Sequence, residues 1–195
     1  MPPKHLSLGN TATSLNRAPI SAFVVAPPFS VLKQNLIPVA DGGDGTLETL
    51  VEASGGKIRT SIVTGPLGQP LTTQWGAMGD GKTAVIEMAR TSGLALIELN
   101  DRNPLISTTY GLGEAILDAL NSGFRQFIIG IGGSATNDGG AGMAQSLGIK
   151  LLDKHGTNLP PGGSSLKNLD HIDVSSMDPR IHETTIMVAT DVSNT

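Results

Sequence analysis

Apolar residues along this chain come in short bursts, each halted by glycine, proline or a polar cluster. The β-branched run Ile20–Val25 predicts a strand, stopped by Pro27 and Pro28. Asn35–Ala40 predicts a second, with Pro38 confining it to an edge or a strand end. In Asp44–Gly56 the period changes. Leu47, Leu50, Val51 and Ser54 recur at helical spacing, and Gly55 and Gly56 supply a stop. Lys57–Gly65 alternates as a half-buried strand does. Thr72–Ala89 holds two apolar runs on either side of Asp80-Gly81, a two-residue turn signal, and predicts a hairpin. Thr108–Gly123 aligns Leu112, Ala115, Ile116, Ala119 and Leu120 on one helical face, ending at Gly123. Phe124–Ile131 predicts a buried strand, Gly139–Gly148 a short helix and Ile149–Asp153 a strand. Lys154–Leu169 is rich in Gly, Pro and Ser and predicts a loop. Thr184–Thr190 predicts the last strand. Strands alternate with helices, but a hairpin interrupts the alternation. The expected fold is therefore α/β, with a mixed sheet of mostly parallel strands and an antiparallel annex.

Three glycine-rich stretches interrupt this pattern, and they differ in the element that each one leads into. Gly76–Thr83 matches the phosphate-binding pattern G-x-x-x-x-G-K-T. That motif needs a helix opening at its Lys-Thr, so that helix-terminal N–H groups meet phosphate. Here Thr83 leads into a strand pattern, and the hairpin reading takes precedence. Lys82 remains a candidate for reaching a phosphate from a neighbouring element, as does Arg90, although exposed cations of this kind are usually only solvated.

The second stretch, Gly130–Gly140, comes after a buried strand. Gly130–Ala135 fits G-x-G-x-x-A, a variant of the dinucleotide fingerprint, and Asp153 ends the next strand where a ribose hydroxyl would be held. This is the oxidoreductase alternative. Against it, Thr136–Gly140 prolongs the loop past the point where that helix should open. Read on its own chemistry, the stretch is an anion cradle. Glycines let backbone N–H groups turn toward a ligand, and Ser134, Thr136 and Asn137 add side-chain donors. The candidate binding residues are Gly132, Gly133, Ser134, Thr136, Asn137 and Asp138. A carboxylate beside an anion site suits Mg²⁺ binding or proton removal, unless Asp138 simply caps the next helix.

The third stretch, Pro38–Leu50, repeats the arrangement: strand, Asp41, Gly42-Gly43, Asp44, Gly45-Thr46, helix. Asp191 sits just past the last strand in the same way. Several carboxylates at strand ends beside polar loops suit metal-assisted phosphoryl transfer better than hydride transfer.

Composition narrows the classes. Of 195 residues, 38% are hydrophobic and 15% charged, which is globular. There are no cysteines, so disulfides and thiolate metal sites are excluded. His5, His155, His171 and His182 are widely spaced, unlike a zinc site. The net charge of −4 and 3% aromatic content leave little for nucleic-acid binding. No apolar run is long enough to span a bilayer. The first 19 residues read as an irregular tail without a secretory signal, and a cytoplasmic protein is expected.

"PVADGGDGT", "VTGPLGQP", "GDGKTAVIEMA", "NPLISTTYG", "GIGGSATNDGGAGMAQSLG" and "ATDVSN" occur in order from Pro38 to Asn194. Together they resemble the bacterial glycerate kinase family of the first type. The resemblance implies ATP-dependent phosphorylation of D-glycerate, at the 2-hydroxyl, with Mg²⁺. It implies two α/β domains with a cleft between them, one built from both chain ends. On that pattern residues 20–56 form an incomplete piece of the end-built domain, and residues 57–195 form the middle domain, shortened at its C-terminal side. Asp41 and Asp191 are then the candidate catalytic carboxylates, and Asp41, Asp44 and Asp191 the candidate metal ligands. Asp44 stands where the family usually has Glu. The opening "VVAPPFSVLKQ" keeps an Ala-Pro and a Phe-Ser of the family's start but lacks its long helix. The family runs to nearly twice this length, so the chain is expected to be an N-terminal portion, with a non-catalytic anion-binding fragment as the other alternative.

Overall fold

The computed structural model describes residues 45–190. All of them belong to one compact unit, Ile37–Thr195. The strands expected over Ile20–Val25 and Asn35–Ala40, with Asp41, Asp44 and Asp191, lie outside the described residues.

The described chain opens on helix α1 (Thr46–Ser54), followed by strands β1 (Lys57–Thr64), β2 (Pro70–Ala77) and β3 (Thr83–Glu87). Next come a single turn, α2 (Ala89–Ser92), and the longer α3 (Tyr110–Asn121). Strand β4 (Gln126–Gly130), helix α4 (Ala141–Ser146), and strands β5 (Lys150–Leu152), β6 (His171–Asp173) and β7 (Thr185–Ala189) complete it. The main sheet has the order β1-β2-β3-β4-β7. β1 and β2 pair antiparallel, as do β2 and β3, whereas β3, β4 and β7 run parallel. The sheet is thus mixed, and the hairpin supplies its antiparallel half.

Local sequence explains the elements it predicted well. α1 buries Leu47 and Val51, one turn apart, and ends at Gly55 in the left-handed region at φ 67°. The Gly56 N–H returns to the Val51 carbonyl at 2.8 Å, closing the helix as a glycine terminus does. α3 buries all five residues of its predicted apolar face. β3 is buried at every position because both sheet faces are covered. Ala84 and Ile86 join Trp75, Phe127 and the apolar face of α3 in the main core. Val85, of opposite parity, faces α1: a Cβ on Gly76 would meet Val51, Val85 and Leu47.

Trp75 anchors the α3 side. It is fully buried, its Nε1 donates to the Asp118 carboxylate at 2.8 Å and to the Ser61 hydroxyl at 3.0 Å, and its ring meets Phe124 edge-on at 5.5 Å. Asp118 also accepts from Ser61, and Glu114 accepts the Thr64 N–H, so polar residues of α3 hold β1.

Three expectations need correction. β1 is an outer strand that buries only Val63, and Ile62 is 78% exposed. Its alternation reflects strand geometry, because α3 reaches only its C-terminal end. β5 does not join the main sheet; it pairs antiparallel with β6 in a separate two-stranded sheet. The predicted loop Lys154–Leu169 contains a 3₁₀ segment, Gly163–Asn168, and β6 comes directly after it. At the parallel edge, β7 leaves Ile186, Met187 and Val188 exposed.

Candidate active site

The stretch read from the sequence as an anion cradle lies at the C-terminal ends of the parallel strands. Gly130 pairs with Glu87 of β3 on one side and Ala189 of β7 on the other. Beyond it the backbone leaves the sheet. This is where open α/β sheets place ligands.

The loop is stitched to the segment after β3 on both of its edges. Met88 N–H donates to the Gly130 carbonyl at 2.8 Å, Leu94 N–H to Gly133 at 2.9 Å, and Ala135 N–H to Ser92 at 2.9 Å. Gly133 has φ +70°, and a Cβ on it would sit 3.1 Å from the Ala89 methyl. Glycine is needed there for both backbone angle and space. Ser107, fully buried, donates its hydroxyl to the Ala135 carbonyl at 2.7 Å. Ser134 and Thr136 hydroxyls bond each other at 2.8 Å, and the Thr136 N–H donates to Ser134 Oγ at 3.1 Å. Among the described residues, the N–H groups of Gly132, Gly133, Ser134 and Asn137 donate to no protein acceptor. All four belong to the candidate binding residues read from the sequence.

Asp138 is 1% exposed, and its carboxylate is engaged by the fold. One oxygen accepts the Thr109 N–H at 2.8 Å, the Thr109 hydroxyl at 2.9 Å and the Gly142 N–H at 3.1 Å. The other accepts the Gly140 N–H at 3.1 Å. Thr109 Oγ1 in turn accepts the Met143 N–H at 3.0 Å. The carboxylate thus joins the starts of α3 and α4 beneath the loop. It occupies an amide at the mouth of α4, so the positive end of that helix is already neutralised. α4 has only six residues, too few for a large dipole in any case.

Lys82 is not brought to the cradle. It precedes β3 at the opposite end from Glu87, and its carbonyl accepts the Gln126 N–H that starts β4. Five strand residues separate it from the loop, roughly 17 Å at about 3.3 Å per residue. The phosphate-loop match is a hairpin tip, as expected. The Asp80 carboxylate accepts the N–H groups of Lys82 and Thr83 at 2.8 and 2.9 Å and the Thr83 hydroxyl at 2.6 Å. Those bonds, the Thr83 hydroxyl first, hold its carboxyl below the usual carboxylate range. An internal anion sits where a phosphate would have been.

Arg90 is not a free cation. Its guanidinium bonds the buried Glu87 at 2.5 Å and reaches Glu48 of α1 at 2.5 Å. Burial alone would draw its pKa down, but the two carboxylates hold it above the ordinary arginine value. Sequence reasoning missed Glu87. It ends a strand pattern of apolar residues, and a lone acidic residue there was the one signal available.

The dinucleotide alternative requires the strand after the loop helix to lie parallel beside β4. That place is taken by β3 and β7, and β5 lies in the other sheet. Asp153, proposed for a ribose, accepts the His155 and Thr157 N–H groups of its own turn, each at 2.9 Å. Among the described residues, no three His, Cys, Asp or Glu side chains cluster to hold a metal ion, and no helix is long and apolar enough to cross a membrane.

The described chain is thus a mixed α/β sheet with a glycine-rich loop at the carboxyl ends of its parallel strands. The glycerate kinase family model matches residues 11–195, and the chain belongs to that family. It is 56% identical over 158 residues to glycerate kinase of Bacillus subtilis, covering 81% of this chain and 41% of that protein. It is 55% identical to glycerate 2-kinase of Escherichia coli, over 81% of this chain and 42% of the relative. A crystal structure from Salmonella typhimurium assigned as glycerate kinase 2 superposes with TM-score 0.78 at 49% identity, over 81% of this chain and 43% of that one. The chain therefore spans less than half the length of these relatives.

Proposed function

We propose that this chain carries part of a site that phosphorylates D-glycerate with ATP, at the 2-hydroxyl. The observation that carries the reading is the set of four N–H groups, at Gly132, Gly133, Ser134 and Asn137, without an acceptor among the described residues. Uncommitted backbone donors on a glycine-rich loop fit an anion of phosphate or carboxylate type. The family to which the chain belongs supplies the reaction class.

ATP, when bound, supplies the phosphoryl group, and Mg²⁺ neutralises charge on it. The cradle's amides hold a phosphate or the glycerate carboxylate, and the Ser134–Thr136 hydroxyl pair keeps the loop in shape for it. Asp138 fixes the loop from below and does not face the ligand. Asp41 and Asp191 take the hydroxyl proton or hold the metal, with Asp44 as a further ligand. Asp191 stands two residues after Ala189, which pairs with Gly130 at the cradle's root.

Amide NMR tests the cradle on the 195-residue protein. Titration with ATP, inorganic phosphate and D-glycerate should shift the Gly132, Gly133, Ser134 and Asn137 signals with at least one of the three. Silence from all four with every ligand would remove the cradle. In a kinase assay on a protein of the relatives' full length that contains this chain, Asp41→Asn and Asp191→Asn should each lower turnover at least ~10²-fold with folding intact, the scale of positioned acid–base groups. Loss of folding in their place would reduce both residues to caps and turns.

A further inference from the structure

The described part of α1 begins two residues after Asp44 and lies against β2 and β3. Its N-cap is Gly45, at φ 93°, which offers no side chain to the helix's first N–H groups. The cap comes from across the fold. Glu87, 1% exposed at the end of β3, accepts the Leu47 N–H on one oxygen at 2.8 Å. Its other oxygen takes Arg90 Nε, and a terminal nitrogen of Arg90 takes Glu48 in the first turn of α1. Arg90 also donates to the Gln74 side chain at 3.3 Å, and its carbonyl accepts the Thr73 hydroxyl at 2.7 Å. Around Arg90, the segment Met88–Leu94 carries the three backbone bonds that border the cradle, and Ala89 packs where Gly133 lacks a side chain. A continuous chain of contacts runs from the cradle through Ala89 and Arg90 to Glu48 and the start of α1.

We propose that Arg90 is a positioning residue that locks the start of α1 to the anion cradle. A ligand seated on Gly132–Asn137 is then coupled to the first turn of α1, where Leu47 and Glu48 receive the other end of the network. This role rests on the kinase reading. It differs from the phosphate contact the sequence suggested for Arg90, because both of its charged arms are already taken by carboxylates. Coupling between sites needs such a contiguous physical network, and this one is built of charge-assisted bonds with one fully buried member.

The test reads both ends of the chain during one titration. In the unsubstituted protein, ATP or inorganic phosphate should shift the cradle amides and those of Thr46–Thr49 with the same apparent Kd. Glu48→Gln removes the charge from the outer, half-exposed arm, reducing it to a neutral hydrogen bond, and leaves the buried Glu87–Arg90 pair intact, so folding is retained. In that variant the cradle response should keep its Kd within about threefold, while the α1 shifts fall at least fivefold. Arg90→Gln should do the same, and Arg90→Lys should restore part of the α1 response. An α1 response unchanged in both Glu48→Gln and Arg90→Gln, beside a normal cradle response, would overturn the positioning role alone. No cradle response in the unsubstituted protein would overturn the kinase reading, and this role with it.

Discussion

Asp138→Ala is expected to lose about 3–5 kcal/mol of stability, since each buried donor left without its acceptor costs about 1–3 kcal/mol, more beside a charge. Four donors depend on this carboxylate: the Thr109 N–H and hydroxyl, and the N–H groups of Gly140 and Gly142. They come from the starts of two helices separated by some thirty residues, so no local turn can replace the missing group. Urea denaturation followed by circular dichroism measures the loss. Asp138→Asn is the graded control. Its oxygen can keep the three bonds now made by one carboxylate oxygen, but its NH₂ then opposes the Gly140 N–H. It should lose roughly 1–2 kcal/mol. The cradle should loosen with the strut, and the amides of Gly132–Asn137 should exchange faster in the Ala variant even where the helices persist. A loss below about 1 kcal/mol for Asp138→Ala would mean that the carboxylate is not a strut.

Gly142→Ala should be nearly as damaging, although alanine is the better helix former. A Cβ at that position would lie 2.2 Å from Thr108 Oγ1, 2.6 Å from the Tyr110 nitrogen and 3.1 Å from Asp138 Oδ2. Two of these belong to the short turn that starts α3. The Tyr110 nitrogen is backbone and cannot swing away, so α4 must retreat from α3. The same seam is closed by Gly113, where a Cβ would meet Ser146 Oγ at 1.8 Å and the Met143 carbonyl at 2.6 Å. Overpacking of this kind costs about 1–3 kcal/mol, and the upper end is expected because backbone must move. Gly123→Ala separates space from backbone strain. Gly123 has φ +93° with nothing within 4 Å of a built Cβ, so only the left-handed penalty of about 1–2 kcal/mol applies. The order of the urea midpoints checks this. Gly142→Ala falling no lower than Gly123→Ala would show that the α3–α4 contact has room to spare.

The seam matters to function because it carries the cradle. Thr109, Asp138, Gly142 and Met143 form one hydrogen-bonded knot at the starts of α3 and α4. The segments "NPLISTTYG" and "GIGGSATNDGGAGM" are therefore two halves of one structure. Ser107 and Thr109 belong to the site by supporting it, although neither was singled out from the sequence.

What the sequence determined by itself was local. The 3.6-residue spacing of Leu112–Leu120 and the glycines at Gly55 and Gly123 were enough to place α3 and the ends of two helices, because spacing and left-handed glycine are properties of a few neighbouring residues. The hairpin at Asp80-Gly81 overrode a letter-perfect phosphate motif for the same reason: Asp80 bonds donors two and three residues away. The glycine-rich loop from Gly132 to Asn137 was also legible as a loop, since glycine density is written in the chain. Tertiary structure decided what depended on distant partners. It turned Asp138 into a strut, because Thr109 lies 29 positions away. It sent Lys82 to the far end of β3, because strand direction is set by pairing with β4 and not by the residues around Lys82. It placed β5 in a second sheet, where its own apolar run gave no sign of which strand it would pair with. It tied Arg90 to Glu48 across 42 positions, making a pair of sequence-distant charges into a connection between α2 and α1. A chain encodes its turns and helix faces in neighbouring residues, but the fate of a charge is fixed by whatever the fold brings beside it.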